Sequence, residues 1–279
     1  MTNASAGFIR RKSEEECKRA VSYRLGAQFY DLFDTKSNID FYKDLANETK
    51  GKVLELGCGT GRVLFEIGRL GKEVCGVDNS PHMLAQARNK LKTDYRDVEP
   101  RCTLIEADMA SVDLEGKFGL IYSASGSLNL PSREGTASVL DGVVHWLDAG
   151  GLFAFDLIAP RALRKTHFGP SGMRELEVGT VVRYVSQHYD ERTDVTTIDV
   201  FYEVYDLEGK LKDKFHEHGI IGVITRETME KMLRNRHLRV ISVYGDFERN
   251  RYTKMSPWLV FIVTKETAKN GSSRPFDCV

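Results

Sequence analysis

Three glycines packed into Gly57-Cys58-Gly59-Thr60-Gly61, with carboxylates placed around them, are the residues of this chain best suited to holding a ligand. Glu55 stands just before the first glycine, at the end of the apolar run KVLEL, and Asp78 ends a second apolar run, EVCGVD. Glycines between a strand and a helix let a ligand approach the backbone closely. Asp78 follows the first glycine by 78 − 57 = 21 residues, where a carboxylate can accept charge-assisted hydrogen bonds from both hydroxyls of a ribose. The dinucleotide fingerprint spaces its glycines GxGxxG, so that a pyrophosphate sits on the helix N-terminus. Here Arg62 occupies the place of the third glycine or alanine, and Glu55 aims a negative charge at the loop. That charge repels a pyrophosphate and suits an ammonium.

S-adenosylmethionine (SAM) has such an ammonium and no phosphate, so these residues select SAM over NAD among adenosine cofactors. Asp108 ends a third apolar run, CTLIEAD, and can accept from an adenine amino group. Met83 and Met109 are placed to flank the ring, since thioethers pack well on aromatic faces.

The stretches VLELGCGTGR, VCGVDNS, EADMAS and GGLFAFDL occur in the order and spacing of the class I SAM-dependent methyltransferases, which the chain resembles over roughly residues 40–160. The resemblance implies a Rossmann-like α/β fold: a seven-stranded, mostly parallel sheet whose last strand runs antiparallel, with the donor across the carboxyl ends of the first strands. By matching position, Glu55, Gly57, Gly59 and Gly61 would hold the methionine moiety, Asp78 the ribose, and Asp108 and Met109 the adenine. Cys58 within the loop, Asn79 after Asp78, Met83, and Ser123 at the end of the fourth apolar run complete the expected cofactor-binding set. An N-terminal helix bearing Tyr23 and Tyr30 resembles the segment that covers the donor in small-molecule members.

The elements that must position these residues follow from periodicity. Residues 14–34 read as a helix, with Tyr23, Ala27, Tyr30 and Phe33 on one stripe. Apolar runs unbroken by polar residues alternate with helical segments as far as LFAFDL, which argues for a parallel sheet covered on both faces. Ser80-Pro81 and Ser132 supply helix starts. From about Met173 to Ile220 the period drops to two, with Ile198, Val200, Tyr202 and Val204 on one face and Asp199, Glu203 and Tyr205 on the other. This predicts an inserted antiparallel β lid at 173–220, between a helical cover and SAM-binding core at 1–172 and the end of the core at 221–268. The tail, 269–279, reads as flexible. Such a lid, followed by HLRVISVYGDF, resembles methyltransferases acting on small amines or hydroxyls, of the glycine and amino-sugar N-methyltransferase type.

For catalysis, a general base would help an ammonium or hydroxyl acceptor, although holding the reactants in line can supply most of the rate. His216 and His218 project from one strand face at the end of the lid and are the candidate bases. Asn129 lies with Ser125 and Ser127 after the fourth strand, where the family places the transferring methyl, and joins them as a catalytic candidate. His82 reads as a solvated first-turn residue and His145 as structural. The sequence SASGSLNLP lacks the Asn/Asp-Pro-Pro-aromatic run that holds planar amino groups in nucleic-acid and glutamine methyltransferases, which argues for a small-molecule acceptor.

Composition bounds the partners. Lys plus Arg and Asp plus Glu both number 40, which gives no basic footprint for nucleic acid. No apolar run approaches the roughly 20 residues needed to cross a bilayer, and there is no signal-peptide core. Five scattered cysteines without a CxxC pair read as reduced thiols. The expectation is a cytoplasmic enzyme with SAM as cofactor, no metal, no nucleic-acid or membrane partner, and no feature against a homodimer. A protein or RNA methyltransferase and a non-catalytic SAM-binding protein are the rival readings.

Overall fold

The unbroken apolar runs become the doubly covered centre of a sheet. The computed structural model describes residues 26–34 and 37–266. Its strands β1 (Val53–Leu56), β2 (Val74–Asp78), β3 (Cys102–Glu106), β4 (Phe118–Ser123), β5 (Leu147–Ile158), β10 (Leu238–Tyr244) and β11 (Trp258–Lys265) form a seven-stranded sheet in the order β10-β11-β5-β4-β1-β2-β3. Every residue of β1 and β4 is buried. β11, the last strand in the chain, runs antiparallel to both β5 and β10, while β1 to β5 pair in parallel. The chain winds from β1 outward through β2 and β3, then returns to β4 on the other side of β1. The reversal opens a crevice at the carboxyl ends of β1 and β4, the place where open α/β sheets bind ligands.

Helices follow their sequence signals. Ser80 Oγ accepts from Met83 N, and Pro81 opens α4 (Pro81–Thr93). Ser132 Oγ accepts from Gly135 N to start α5 (Arg133–Trp146), which buries Val139, Leu140, Val143 and Trp146 at helical spacing. Thr225 caps α7 (Arg226–Arg234), and α3 (Arg62–Gly68) follows the glycine loop. Periodicity gave no element at α2 (Ile39–Glu48), yet Phe41, Tyr42, Leu45 and Ala46 are buried along one stripe. Its N-cap residue, Asn38, makes no side-chain cap bond and instead meets Arg62 and Ser125, so the usual start signal is missing.

Of the expected N-terminal helix, the described part is a 3₁₀ turn (Gly26–Phe29) and the single turn α1 (Tyr30–Phe33). Tyr23, the residues before 26, and the tail from 267 lie outside the described residues. The connection from β5, through α6 (Pro160–Leu163), leads into a four-stranded antiparallel meander, β6 (His167–Leu176), β7 (Gly179–Asp190), β8 (Val195–Tyr205) and β9 (Leu211–Gly222). The meander starts ahead of the Met173 boundary because Pro170 and a register shift between Pro170 and Gly172 break the alternation at its start. Its inner face carries Val181, Val200 and Tyr202, buried against Phe33, with Phe29 packed beside them. Burying each such side chain contributes about 1.5–3 kcal/mol, which holds residues 26–34 on the meander.

Candidate active site

The β1–α3 turn is pressed into shape from both sides. A Cβ on Gly57 (φ 80°) would stand 2.6 Å from Ser127 Cβ, and one on Gly61 (φ 74°) would stand 2.2 Å from the Phe65 ring. Only glycine fits either position without strain. Gly57 N and Cys58 N both donate to Val77 O, at 2.8 and 3.0 Å, which fastens the loop to β2. Over the loop lies a small cleft lined by Tyr30, Glu55, Gly57, Cys58, Gly59, Arg62, Ser125 and Ser127 among others.

Glu55 sits at the floor of this cleft and is buried. Tyr122, its register partner on β4, donates its hydroxyl to Glu55 Oε2 at 2.8 Å. Burial pushes the carboxyl up to about 8, against the opposing pull of Tyr122 and the Arg62 charge. Once ionised, this carboxyl, facing the cleft with Tyr122 as its side-chain donor, can accept from a ligand ammonium, so the site fits an ammonium-bearing donor. Asp78 Oδ2 accepts from Gly59 N and Asp78 Oδ1 from Ser80 N, both at 2.8 Å. Burial raises its pKa while those two backbone bonds hold it back. Met83 and Met109 approach the glycine loop: their terminal methyls lie 3.1 Å and 3.9 Å from the Cβ positions of Gly59 and Gly57. Cys58 is buried, and burial pushes its thiol well up, so it is a packing residue of the loop rather than a nucleophile.

The opposite wall is the loop after β4, and one buried carboxylate shapes it. Asp156, near the end of β5, accepts from Tyr42 Oη (2.6 Å) and Ser125 N (3.1 Å) at Oδ1 and from Gly126 N (2.7 Å) at Oδ2. Burial nonetheless pushes it up to about 6. Ser125 is left-handed (φ 60°), a strained conformation for a residue with a side chain, and the Asp156 clamp holds it in place; Gly126 follows it at φ 73°. Ser125 Oγ accepts from Arg62 Nη2 (3.0 Å) and Asn38 Nδ2 (3.2 Å). Arg62 also pairs through Nε with Asp34 Oδ2 (2.8 Å) and donates through Nη1 to Asn38 Oδ1 (2.8 Å). In the sequence Arg62 stands out only as a departure from the dinucleotide fingerprint, and no local motif gives a role to Asp156, Tyr42 or Asn38. The acid within LFAFDL is the available signal, because a carboxylate near the end of a buried strand needs partners.

A cover closes the cleft. Thr60 Oγ1 donates to Asp31 Oδ1 and Lys90 Nζ pairs with Asp31 Oδ2, both at 2.7 Å, which ties α1 to the glycine loop and to α4. On its other side, Gly26 N donates to Glu217 Oε1 at 2.8 Å, and the rings of Phe29 and Phe33 lie 5.4 and 5.9 Å from that of Tyr202.

Several expected site residues stand elsewhere. His216 and His218 lie on the outer face of the meander, both against Asp199 Oδ1 at 2.7 Å, while Glu217 between them points to the covered face. Strand alternation therefore turns both histidines away from the cover and the cleft. Asn129 is buried with its Nδ2 donating to Gly222 O (3.0 Å) and its Oδ1 accepting from Ile158 N (2.8 Å), so it pins the returning lid strand to the core instead of facing an acceptor. Ser123 is buried with its hydroxyl donated to Leu56 O at 2.9 Å, a bond across the sheet, and is not among the cleft-lining residues. Asp108 and Asn79, by contrast, follow the carboxyl ends of β3 and β2 and are exposed, and Asp108 Oδ1 accepts from Ala110 N (2.8 Å).

Residues 53–151 match the family described as a methyltransferase domain. Over 219 residues the chain is 25% identical to the Bacillus subtilis (strain 168) protein YqeM, assigned by name as a methyltransferase; the match covers 77% of this chain and 85% of that protein. A SAM-dependent methyltransferase from Clostridium acetobutylicum ATCC 824 shares the fold with a TM-score of 0.73 at 21% identity, over 87% of this chain and 96% of that one. The sugar N-methyltransferase KedS8 from Streptoalloteichus sp ATCC 53650 shares it with a TM-score of 0.70 at 20% identity, over 95% of this chain and all of that one (100%).

Proposed function

We propose that the chain is a class I SAM-dependent methyltransferase that methylates nitrogen or oxygen of a small molecule held beside the glycine loop under the cover. The observation that carries this reading is the cover: residues 26–34 are tied to the glycine loop through Asp31 and Asp34 and to the meander through Gly26. A cleft roofed by a cover that is tied to both the core and the meander suits a metabolite-sized acceptor better than a folded protein or an RNA helix. The sugar N-methyltransferase KedS8, with the same fold, is in keeping with an amine acceptor.

When bound, SAM supplies an electrophilic methyl on a sulfonium. The protein's part is positioning. Glu55 would pair with the donor ammonium, and Asp78 would exchange its backbone partners at Gly59 and Ser80 for ribose hydroxyls. Met83 and Met109, against the glycine loop, would pack on the adenine, and Tyr30 would close over the donor. Asp156 fixes the Ser125–Gly126 turn, whose Ser125 lines the cleft. With His216 and His218 on the far face, the rate rests on alignment and on exclusion of water by the cover. The reading places the enzyme in the cytoplasm without a nucleic-acid partner; no helix among the described residues is long and apolar enough to cross a membrane.

A mass-spectrometric screen of amine and hydroxyl metabolites with the purified protein and SAM tests this. The expected result is a gain of one methyl on a small amine or alcohol. Methylation of protein or RNA alone would overturn the small-molecule assignment.

A further inference from the structure

Behind the cover, on the outer face of the meander, three ligand-type side chains converge. Asp199 on β8 is the register partner of His218 on β9, and His216 lies on the same face opposite Phe201. His216 Nε2 and His218 Nδ1 both lie 2.7 Å from Asp199 Oδ1, and the three ligand atoms fall within 4.8 Å of one another. We propose that Asp199, His216 and His218 form a binding site for a first-row divalent transition metal that staples β9 to β8.

The donor set is two imidazoles and one carboxylate, which suits zinc and its neighbours and is too rich in nitrogen for calcium or magnesium. Ligand bonds of about 2.0–2.2 Å place donors around a tetrahedral ion roughly 3.3 Å apart, so an ion entering the cluster replaces the two 2.7 Å contacts to Asp199 Oδ1 and draws the three donor atoms, now within 4.8 Å of one another, around itself by side-chain rotation. The site is held ready by its frame. Two histidines two positions apart on a paired strand share a face by strand geometry. The His216 ring stacks on Phe201 at 4.5 Å with 7° between planes, which fixes the direction of its Nε2. Side-chain exposure of 45% for His216, against 22% for His218 and 24% for Asp199, leaves one side open to water, as a three-ligand site requires.

The location suggests what the ion does. Glu217, the residue between the two histidines, reaches through to the inner face and accepts the Gly26 N–H that anchors the cover. A metal clamped on residues 216 and 218 therefore stiffens the stretch of strand from which the cover hangs.

The test uses the full-length protein stripped with chelator and titrated with Zn²⁺ against a chromogenic indicator. The expected result is one Zn²⁺ bound with micromolar or tighter affinity, weakened at least about tenfold by His216→Ala, by His218→Ala and by Asp199→Asn. Saturating Zn²⁺ should raise the thermal midpoint of the unmodified protein and leave that of the His216→Ala/His218→Ala double variant unchanged, its folding checked by circular dichroism. The Co²⁺ adduct should show d–d absorption without thiolate charge transfer, which separates this site from the cysteines. Equal Zn²⁺ affinity in the unmodified and double-variant proteins, or no binding below about 1 mM, would overturn the assignment.

Discussion

Arg62 Nε stands 2.8 Å from Asp34 Oδ2, and both side chains are largely shielded from water, at 9% and 17% exposure. Through this pair the helix that follows the glycine loop grips the cover, and through Ser125 the same guanidinium grips the opposite wall. Three directed bonds to three separate segments are a task for a planar guanidinium. Arg62→Ala should cost about 3 kcal/mol of stability, because it removes the shielded pair with Asp34 together with the bonds to Asn38 and Ser125. Arg62→Lys, which keeps the charge and loses the fork, should recover only part of it. Urea denaturation of the three proteins checks this; an Arg62→Ala loss below about 1 kcal/mol would contradict the grip.

Glu55 makes stability depend on pH in a definite direction. Its folded pKa of about 8 lies above the ordinary 4.5, so folding binds a proton there, and its contribution is present at low pH and lost as pH rises from about 4.5 to 8. Asp156 acts likewise, but only from 3.8 to about 6, so the range from pH 6 to 8 isolates Glu55. The ligand-free protein should lose about 2 kcal/mol more than Glu55→Gln between pH 6 and 8. Denaturation curves at the two pH values decide it, and parallel behaviour of the two proteins would show that Glu55 is ionised throughout.

Much of this was legible beforehand because it follows from local patterns. The buried strands announce themselves as apolar runs, the β1–α3 turn as a glycine cluster, and the meander as a change of period at Ile198 to Val204. What stayed hidden depends on long-range pairing. Asn129 has the chemistry and chain position of a catalytic residue, but its partners Gly222 and Ile158 are distant in sequence, and they make it a pin. His216 and His218 do share a face, as alternation predicts, but only the packing of Phe29 and Phe33 on Tyr202 decides which face is covered. Asp156 gains its meaning from Tyr42 and Ser125, neither adjacent in sequence.

Glu217 holds the cover by accepting from Gly26 N, and an amide oxygen can accept in its place. Glu217→Ala should therefore lower kcat at least tenfold with a smaller effect on SAM affinity, and Glu217→Gln should restore most of the rate. Steady-state kinetics with calorimetry separates the two effects. Equal losses in both variants would mean that the charge, and not the anchor, matters.

The outer-face position of His216 and His218 predicts that they are not the base. In metal-free buffer the His216→Ala/His218→Ala protein should keep methyl transfer within about threefold of the parent, with an unchanged pH–rate profile. A fall of the 10²–10⁴-fold expected for loss of a general base would return them to the active site.

The central claim, that the cleft over the glycine loop is built for a cationic, phosphate-free adenosine donor, is tested most directly by calorimetric titration of SAM and of NAD at pH 7 in buffers of different ionisation heat. Because Glu55 holds its proton in the free protein at this pH and must release it to pair with an ammonium, SAM should bind with net release of protons. Glu55→Gln should bind SAM more weakly and without that release, and NAD should not bind. Tight NAD binding, or SAM binding with no proton release in the unmodified protein, would contradict the account.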